Sequence, residues 1–239
     1  MTSWHTFGGP LLLSLAVASW AAEPASTLLT TENIVARMRE ARTRNRAQLR
    51  PYEVRRDYQL FGKEQKSKSE VTAYIDYVPP DVQHFTIHRN NGVNMGEVIV
   101  RKILESEKEI LTNQSASDIS PANYSFRVVR KDVLDRQPCY VLELRPLRKD
   151  SKLLEGLIWV DASSFMILRM EGQPARAPSW WVHNIHVALE FRAVHGMWLQ
   201  TALRSTANVR LLGEHTLVSH DVEYKMGAIE AAAAPVPRP

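Results

Sequence analysis

Cysteine is almost missing from this 239-residue chain, in which Cys139 stands alone. One thiol cannot build an internal disulfide framework or a thiolate zinc cluster. It can be a buried thiol, an intermolecular link or a lone nucleophile. A strong excess of one charge is lacking too: 30 Lys and Arg against 26 Asp and Glu leave a net +4. That excess is small for a nucleic-acid surface, and aromatic and basic residues do not interleave as such a surface requires. With 44% apolar and 23% charged residues, neither extended disorder nor a polytopic membrane protein fits. HExxH, a glycine-rich phosphate loop and a nucleophile elbow are all absent. The length suits one generous domain or two small ones, and no catalytic signature stands out.

Residues 1–22 contain no acidic or basic side chain apart from His5. Leu11, Leu12, Leu13, Leu15, Ala16, Val17 and Ala18 form an apolar run that is short for a membrane span. Ser19-Trp20-Ala21 then places small residues where a signal peptidase reads. The segment reads as a secretory signal peptide over 1–21, cut after Ala21 or alternatively after Ala18. A short retained anchor or a disordered leader is the competing reading. No cysteine lies near the cut, so an ordinary lipoprotein anchor is excluded. A single domain is expected over 22–227, followed by a disordered, low-information tail over 228–239.

Thr30 or Thr31 can cap a helix over about 32–49, where Ile34, Met38 and Ala41 fall on one face. Its apolar stripe is narrow, which predicts a helix laid on a surface rather than sunk in a core. Eight arginines between positions 37 and 56 read equally as a solvated face or as a surface toward anionic lipid. Alternation follows: Tyr52, Val54, Tyr58 and Leu60 share a strand face that Arg56 interrupts, and Val71, Ala73, Ile75 and Tyr77 repeat the pattern. A further strand runs over 82–88, and Asn90-Asn91-Gly92 signals a turn. Residues 96–111 switch to helical period, with Ile99, Val100, Ile103, Leu104 and Ile110 on one stripe.

From Tyr124 onward the chain reads as strands at about 124–130, 138–145, 156–161, 165–171, 181–192, 197–212 and 215–225. Nine or ten strands in hairpin order with two or three helices predict a mainly β domain built on a large curved antiparallel sheet. In 181–191 the odd positions Trp181, Ile185, Val187, Leu189 and Phe191 are apolar, apart from His183, while the even ones are largely polar. Such a one-sided sheet needs a cover. Helices can fill the concave face completely, or leave a lipid-sized cavity beneath a partial lid.

The chemistry-bearing residues do not converge. His84 and His88 share a strand face about 13 Å apart, and His183 and His186 point to opposite faces. Cys139 lies in a strand that continues Tyr140-Val141-Leu142, the setting of a packed thiol. Asp161 precedes Ala162-Ser163-Ser164 and is placed to fix a hairpin turn. No metal or cofactor is implied.

Five segments carry a resemblance. They are Pro138 to Leu144, Leu153 to Asp161, Phe165 to Gly172, Pro178-Ser179-Trp180-Trp181 and Gly196-Met197-Trp198-Leu199. Together they resemble bacterial outer membrane lipoprotein-sorting proteins, the branch related to the periplasmic carrier LolA. The similarity spans about 30–225 and is most specific in 138–203. It implies an open, strongly curved antiparallel half-barrel with helices over the concave face, in an exported protein of the periplasm. It also implies that Trp159, Asp161 and Gly172 shape a hairpin and that Trp198 packs on the sheet. Characterised relatives shield lipid chains or the acylated ends of lipoproteins.

The leading expectation is a non-enzymatic periplasmic carrier or binding protein for lipid or acylated lipoprotein, with envelope membrane proteins as further candidate partners and no nucleic acid. The alternative is a regulatory or protein-interaction module with a filled half-barrel core, and a hydrolase of envelope lipids ranks behind both. Candidate cavity-lining residues are Tyr58, Val71, Ile75, Trp181, Ile185, Val187, Leu189 and Phe191.

Overall fold

The computed structural model of the chain describes residues 29–63 and 66–227. The expected signal over 1–21 and tail over 228–239 lie outside them. Helix α1 (Thr31–Gln48) starts where the Thr30 hydroxyl accepts from the Asn33 amide at 3.3 Å. Strands β1 (Tyr52–Phe61), β2 (Ser67–Val78) and β3 (Val82–Gly92) follow as two hairpins. Helix α2 (Asn94–Thr112) and the single turn α3 (Gln114–Ser117) then lead into seven consecutive strands. These are β4 (Tyr124–Leu134), β5 (Gln137–Pro146), β6 (Leu154–Asp161), β7 (Ile167–Pro174), β8 (Val182–Val194), β9 (Met197–Val209) and β10 (Gly213–Met226).

All ten strands join one antiparallel sheet in the order β3-β2-β1-β10-β9-β8-β7-β6-β5-β4. Every neighbour is a hairpin neighbour except the β1–β10 pair, which brings the end of the domain back beside its first strand. The sheet does not close, since β3 and β4 remain its edges. Residues of β2 and β7 nevertheless line the same cavity, although five strand spacings, about 24 Å in a flat sheet, separate them. The sheet is therefore curved into an open half-barrel. Register shifts at Arg55/Arg56, Glu70/Val71, Trp159/Val160 and Glu190/Phe191 supply local bends.

Each long helix covers one part of the concave face. Ile34, Val35, Met38 and Ala41 of α1 pack with Leu142, Leu144, Ile158, Val160, Ile167 and Met170. Val100 and Leu104 of α2 pack with Val54, Tyr58, Leu60, Val71, Ala73 and Ile75. Close approach fixes α2: a Cβ at Gly96 would collide with the Ser69 side chain. On the outer face Cys139, Val141, Trp159 and Leu168 make a smaller cluster, so β5 is buried on both sides. Gly156 and Gly172 face each other across β6 and β7, and a Cβ on either would strike the opposing backbone.

Several sequence expectations are revised. Helix α1 is not a surface helix, because Ile34 is 0% and Met38 1% exposed; a narrow stripe suffices when the sheet curves around it. The strand expected over 197–212 stops at Val209, where Arg210 to Leu212 form the turn into β10. Asn90 and Asn91 remain in β3, which turns only at Gly92, with φ 87°.

Candidate functional site

Between the α1 half and the α2 half of the concave face lies a cavity of about 590 Å³. Its walls are mostly apolar: Val54 and Ile75 from β1 and β2, Ile167 and Met170 from β7, Leu189 and Phe191 from β8, and Ile110 and Leu111 from α2. Leu49, Pro79, Pro80, Ile119, Leu154, Met166 and Leu199 add to the apolar lining. α3 and the residues after it form a strap that contributes Gln114, Ser117 and Asp118 to the lining. No residue of α3 is buried. Polar contacts hold this strap in place. Asp118 pairs with Arg42 and, at 3.3 Å, with Arg46, while Asn123 Nδ2 donates to the Ser115 and Asp118 carbonyls at 3.0 and 2.8 Å.

One ionic cluster is built into the cavity wall. Arg56 points inward from β1, where Nε donates to Asp221 Oδ1 at 2.5 Å and Nη1 donates to both Glu107 oxygens at 3.1 Å. Tyr224 donates its hydroxyl to Asp221 Oδ2. Burial alone would depress the Arg56 guanidinium, but Glu107, Tyr58 and Asp221 outweigh it and hold it well above its ordinary value. Arg56 is thus a fixed positive charge, 8% exposed, that ties α2 to β1 and β10. The amide nitrogen of Gln83, also on the lining, has no partner among the described residues.

The expected lining residues divide into three groups. Ile75, Leu189 and Phe191 reach the cavity. Tyr58 and Val71 lie under α2, 1% and 2% exposed, and Val187 packs against the same cluster. Ile185 and Trp181 are elsewhere. β8 carries one extra residue between His183 and His186, with Asn184 at φ 52°, and this breaks the odd–even alternation. Ile185 falls in that bulge and joins neither core cluster. Val182, not Trp181, pairs with Val209 and shares the phase of Leu189. Trp181 is 44% exposed and stacks on Trp180.

Sequence reasoning did not place Arg42, Gln83, Glu107 or Asp118 at the site. Arg56 alone left a trace, as a charge interrupting an apolar face. Asp161 holds its turn as expected: Oδ1 accepts from the Ser163 amide at 3.0 Å and from the Ser164 amide at 2.6 Å. Burial would raise this carboxyl, but those bonds and the two serine hydroxyls bring it below the usual range. Among the described residues no group of three or more His, Cys, Asp or Glu is placed to hold a metal ion.

No family model matches the chain, and no curated protein does. Among solved structures it is similar to a putative outer membrane lipoprotein-sorting protein domain from Vibrio parahaemolyticus, with 11% identity over 82% of this chain and 93% of that one and a TM-score of 0.39. It is also similar to a LolA superfamily protein from Nitrosomonas europaea, with 14% identity, coverage of 84% and 96%, and a TM-score of 0.37. A DUF1329 family protein from Desulfovibrio piger gives 13% identity, coverage of 84% and 92%, and a TM-score of 0.37. The likeness is one of fold. The half-barrel itself rests on this chain's own strand order and register.

Proposed function

We propose that the protein is a non-catalytic carrier for lipid or for the acylated part of a lipoprotein, exported to the periplasm by the segment 1–21. The observation that carries this reading is the cavity of about 590 Å³ between the two helices. Its volume falls in the range of roughly 300–1,000 Å³ typical of small-molecule sites, and its walls are chiefly aliphatic and aromatic. Each methylene sheltered there from water is worth about 0.8 kcal/mol, so transfer needs no covalent step. Ile75, Leu189 and Phe191 touch the chain of the ligand in this reading. Tyr58, Val71 and Val187 support α2 behind them. Arg56 is held by Asp221 and Glu107, which leaves Gln83 as the free donor for a polar end group.

No helix among the described residues is long and apolar enough to cross a membrane, and the resemblance to lipoprotein-sorting proteins spans about 30–225, most specifically 138–203. That resemblance accords with a carrier released on the far side of the inner membrane. Native mass spectrometry of the gently purified, exported protein tests the reading. A polypeptide beginning near Ala22 with acyl-chain adducts is the expected result. Bare protein under every mild condition favours a filled interaction module instead.

A further inference from the structure

At the opposite end of β8 from the cavity, the molecule exposes a compact apolar tip. Trp180 is 68%, Trp181 44%, Leu211 93% and Leu212 55% exposed. They come from two separate connections, the segment before β8 and the turn from β9 to β10. The Arg210 amide joins these by donating to the Trp181 carbonyl at 2.8 Å. The two indoles stack with centroids 4.0 Å apart, and the Arg210 guanidinium sits 5.5 Å from the Trp180 ring centre. Ser179 anchors the first connection, accepting from the Trp181 amide through its hydroxyl and from the Val182 amide through its carbonyl. The tip is a built surface rather than a loose loop.

Two costs coincide at Leu211. It is almost wholly in water, and its φ of 71° is a left-handed conformation that Asn or Gly adopts more readily than a leucine. Neither packing nor turn geometry calls for leucine there. A cost without a structural return points to function. The chemistry of the neighbourhood selects the partner. Tryptophans with an apolar body and a polar N–H, exposed leucines and flanking cations are the composition that settles at the water–lipid boundary. The β1–β2 connection lies at the same end, since Phe61 pairs with Thr216 near the start of β10; its Lys63, and Lys68 at the start of β2, are exposed. These cations suit anionic headgroups.

We infer that this tip docks the protein on an anionic bilayer surface, with Trp180 and Leu211 entering the headgroup boundary and Arg210, Lys63 and Lys68 facing lipid phosphates. The site is separate from the cavity. Leu189 and Phe191 lie about 25 Å further along β8, so membrane docking and cargo binding are lost independently.

Co-sedimentation of the exported protein with phosphatidylethanolamine–phosphatidylglycerol vesicles tests the assignment, with phosphatidylcholine vesicles alongside. The expected result is binding to the anionic vesicles, a blue shift of tryptophan emission, and weaker binding to phosphatidylcholine or at high salt. Trp180→Ser and Leu211→Asn should each weaken binding by about tenfold, while both variants still bind an acyl probe in solution. Leu211→Asn should keep or raise the melting temperature, because asparagine tolerates the left-handed conformation. Wild-type protein that ignores both kinds of vesicle overturns the inference. So does undiminished vesicle binding by the two folded variants.

Discussion

Leu189→Phe separates a cavity from a filled core. Leu189 is half-buried on β8, lines the cavity and packs against the clusters beneath both helices. A phenyl ring at this position grows into open space. It displaces two or three methylenes of a bound chain, at about 0.8 kcal/mol each, or roughly 2 kcal/mol. That is a loss of about 25-fold in affinity. The free protein should change by less than about 1 kcal/mol, because the ring gains wall contacts. Leu142→Phe is the control. Leu142 is 0% exposed beneath α1 and is not on the cavity wall, so the larger ring should overpack and cost about 1–3 kcal/mol with affinity unchanged. The assay is fluorescent fatty-acyl titration beside urea melts of all three proteins. A Leu189→Phe variant destabilised as much as Leu142→Phe, with unaltered probe binding, would refute the reasoning.

Glu107→Gln strips one counter-charge from Arg56, and Arg56→Met leaves Asp221 buried without its counter-charge, with only the Tyr224 hydroxyl still donating to it. Arg56→Met should cost about 3–5 kcal/mol in denaturant melts and Glu107→Gln less, since Glu107 is the more exposed partner. The Asp161 carboxyl is held below its ordinary value, so its contribution exists above the unfolded carboxylate pKa and is lost as pH falls through the folded one. Asp161→Asn should therefore be about 1 kcal/mol less stable than wild type near neutrality, with the gap closing in acid; a pH-independent gap contradicts this. Cys139 is 2% exposed, and burial, with Asp132 next, raises its thiol. The native protein should resist alkylation, and Cys139→Ala should cost about 1–2 kcal/mol with acyl binding intact. Hydrogen exchange should find 113–120 the least protected covering segment and α1 as protected as α2; a freely exchanging α1 would contradict its buried stripe.

Local periodicity made much of this fold legible. Val71, Ala73, Ile75 and Tyr77 announced β2 by their alternation, and Ile99 to Ile110 announced α2 by its stripe. The pairing of β1 with β10 was not legible, because a contact between the two ends of a domain leaves no local signal. The depth of α1 is not legible for a related reason: Ile34, Met38 and Ala41 make a thin stripe, and only the curvature of the sheet decides how completely it is enclosed. The cavity depends on how far apart two helices rest, a distance that neither helix encodes alone. Trp181 shows how one residue redirects a face, since the left-handed Asn184 inserts a bulge that alternation could not foresee. α3, with the sequence Gln114-Ser115-Ala116-Ser117, has no apolar period and is held by side chains from α1 and from the β4 and β5–β6 regions.

A carrier of this kind must recognise the acyl chain itself. Calorimetric titration of the exported protein with an acylated lipopeptide and with the same peptide lacking its acyl chains tests that claim. The account predicts saturable binding of the acylated form with a negative heat-capacity change, the mark of apolar surface leaving water, and no binding of the bare peptide. Equal binding of the two peptides, or no binding of the acylated one by folded protein, would contradict it.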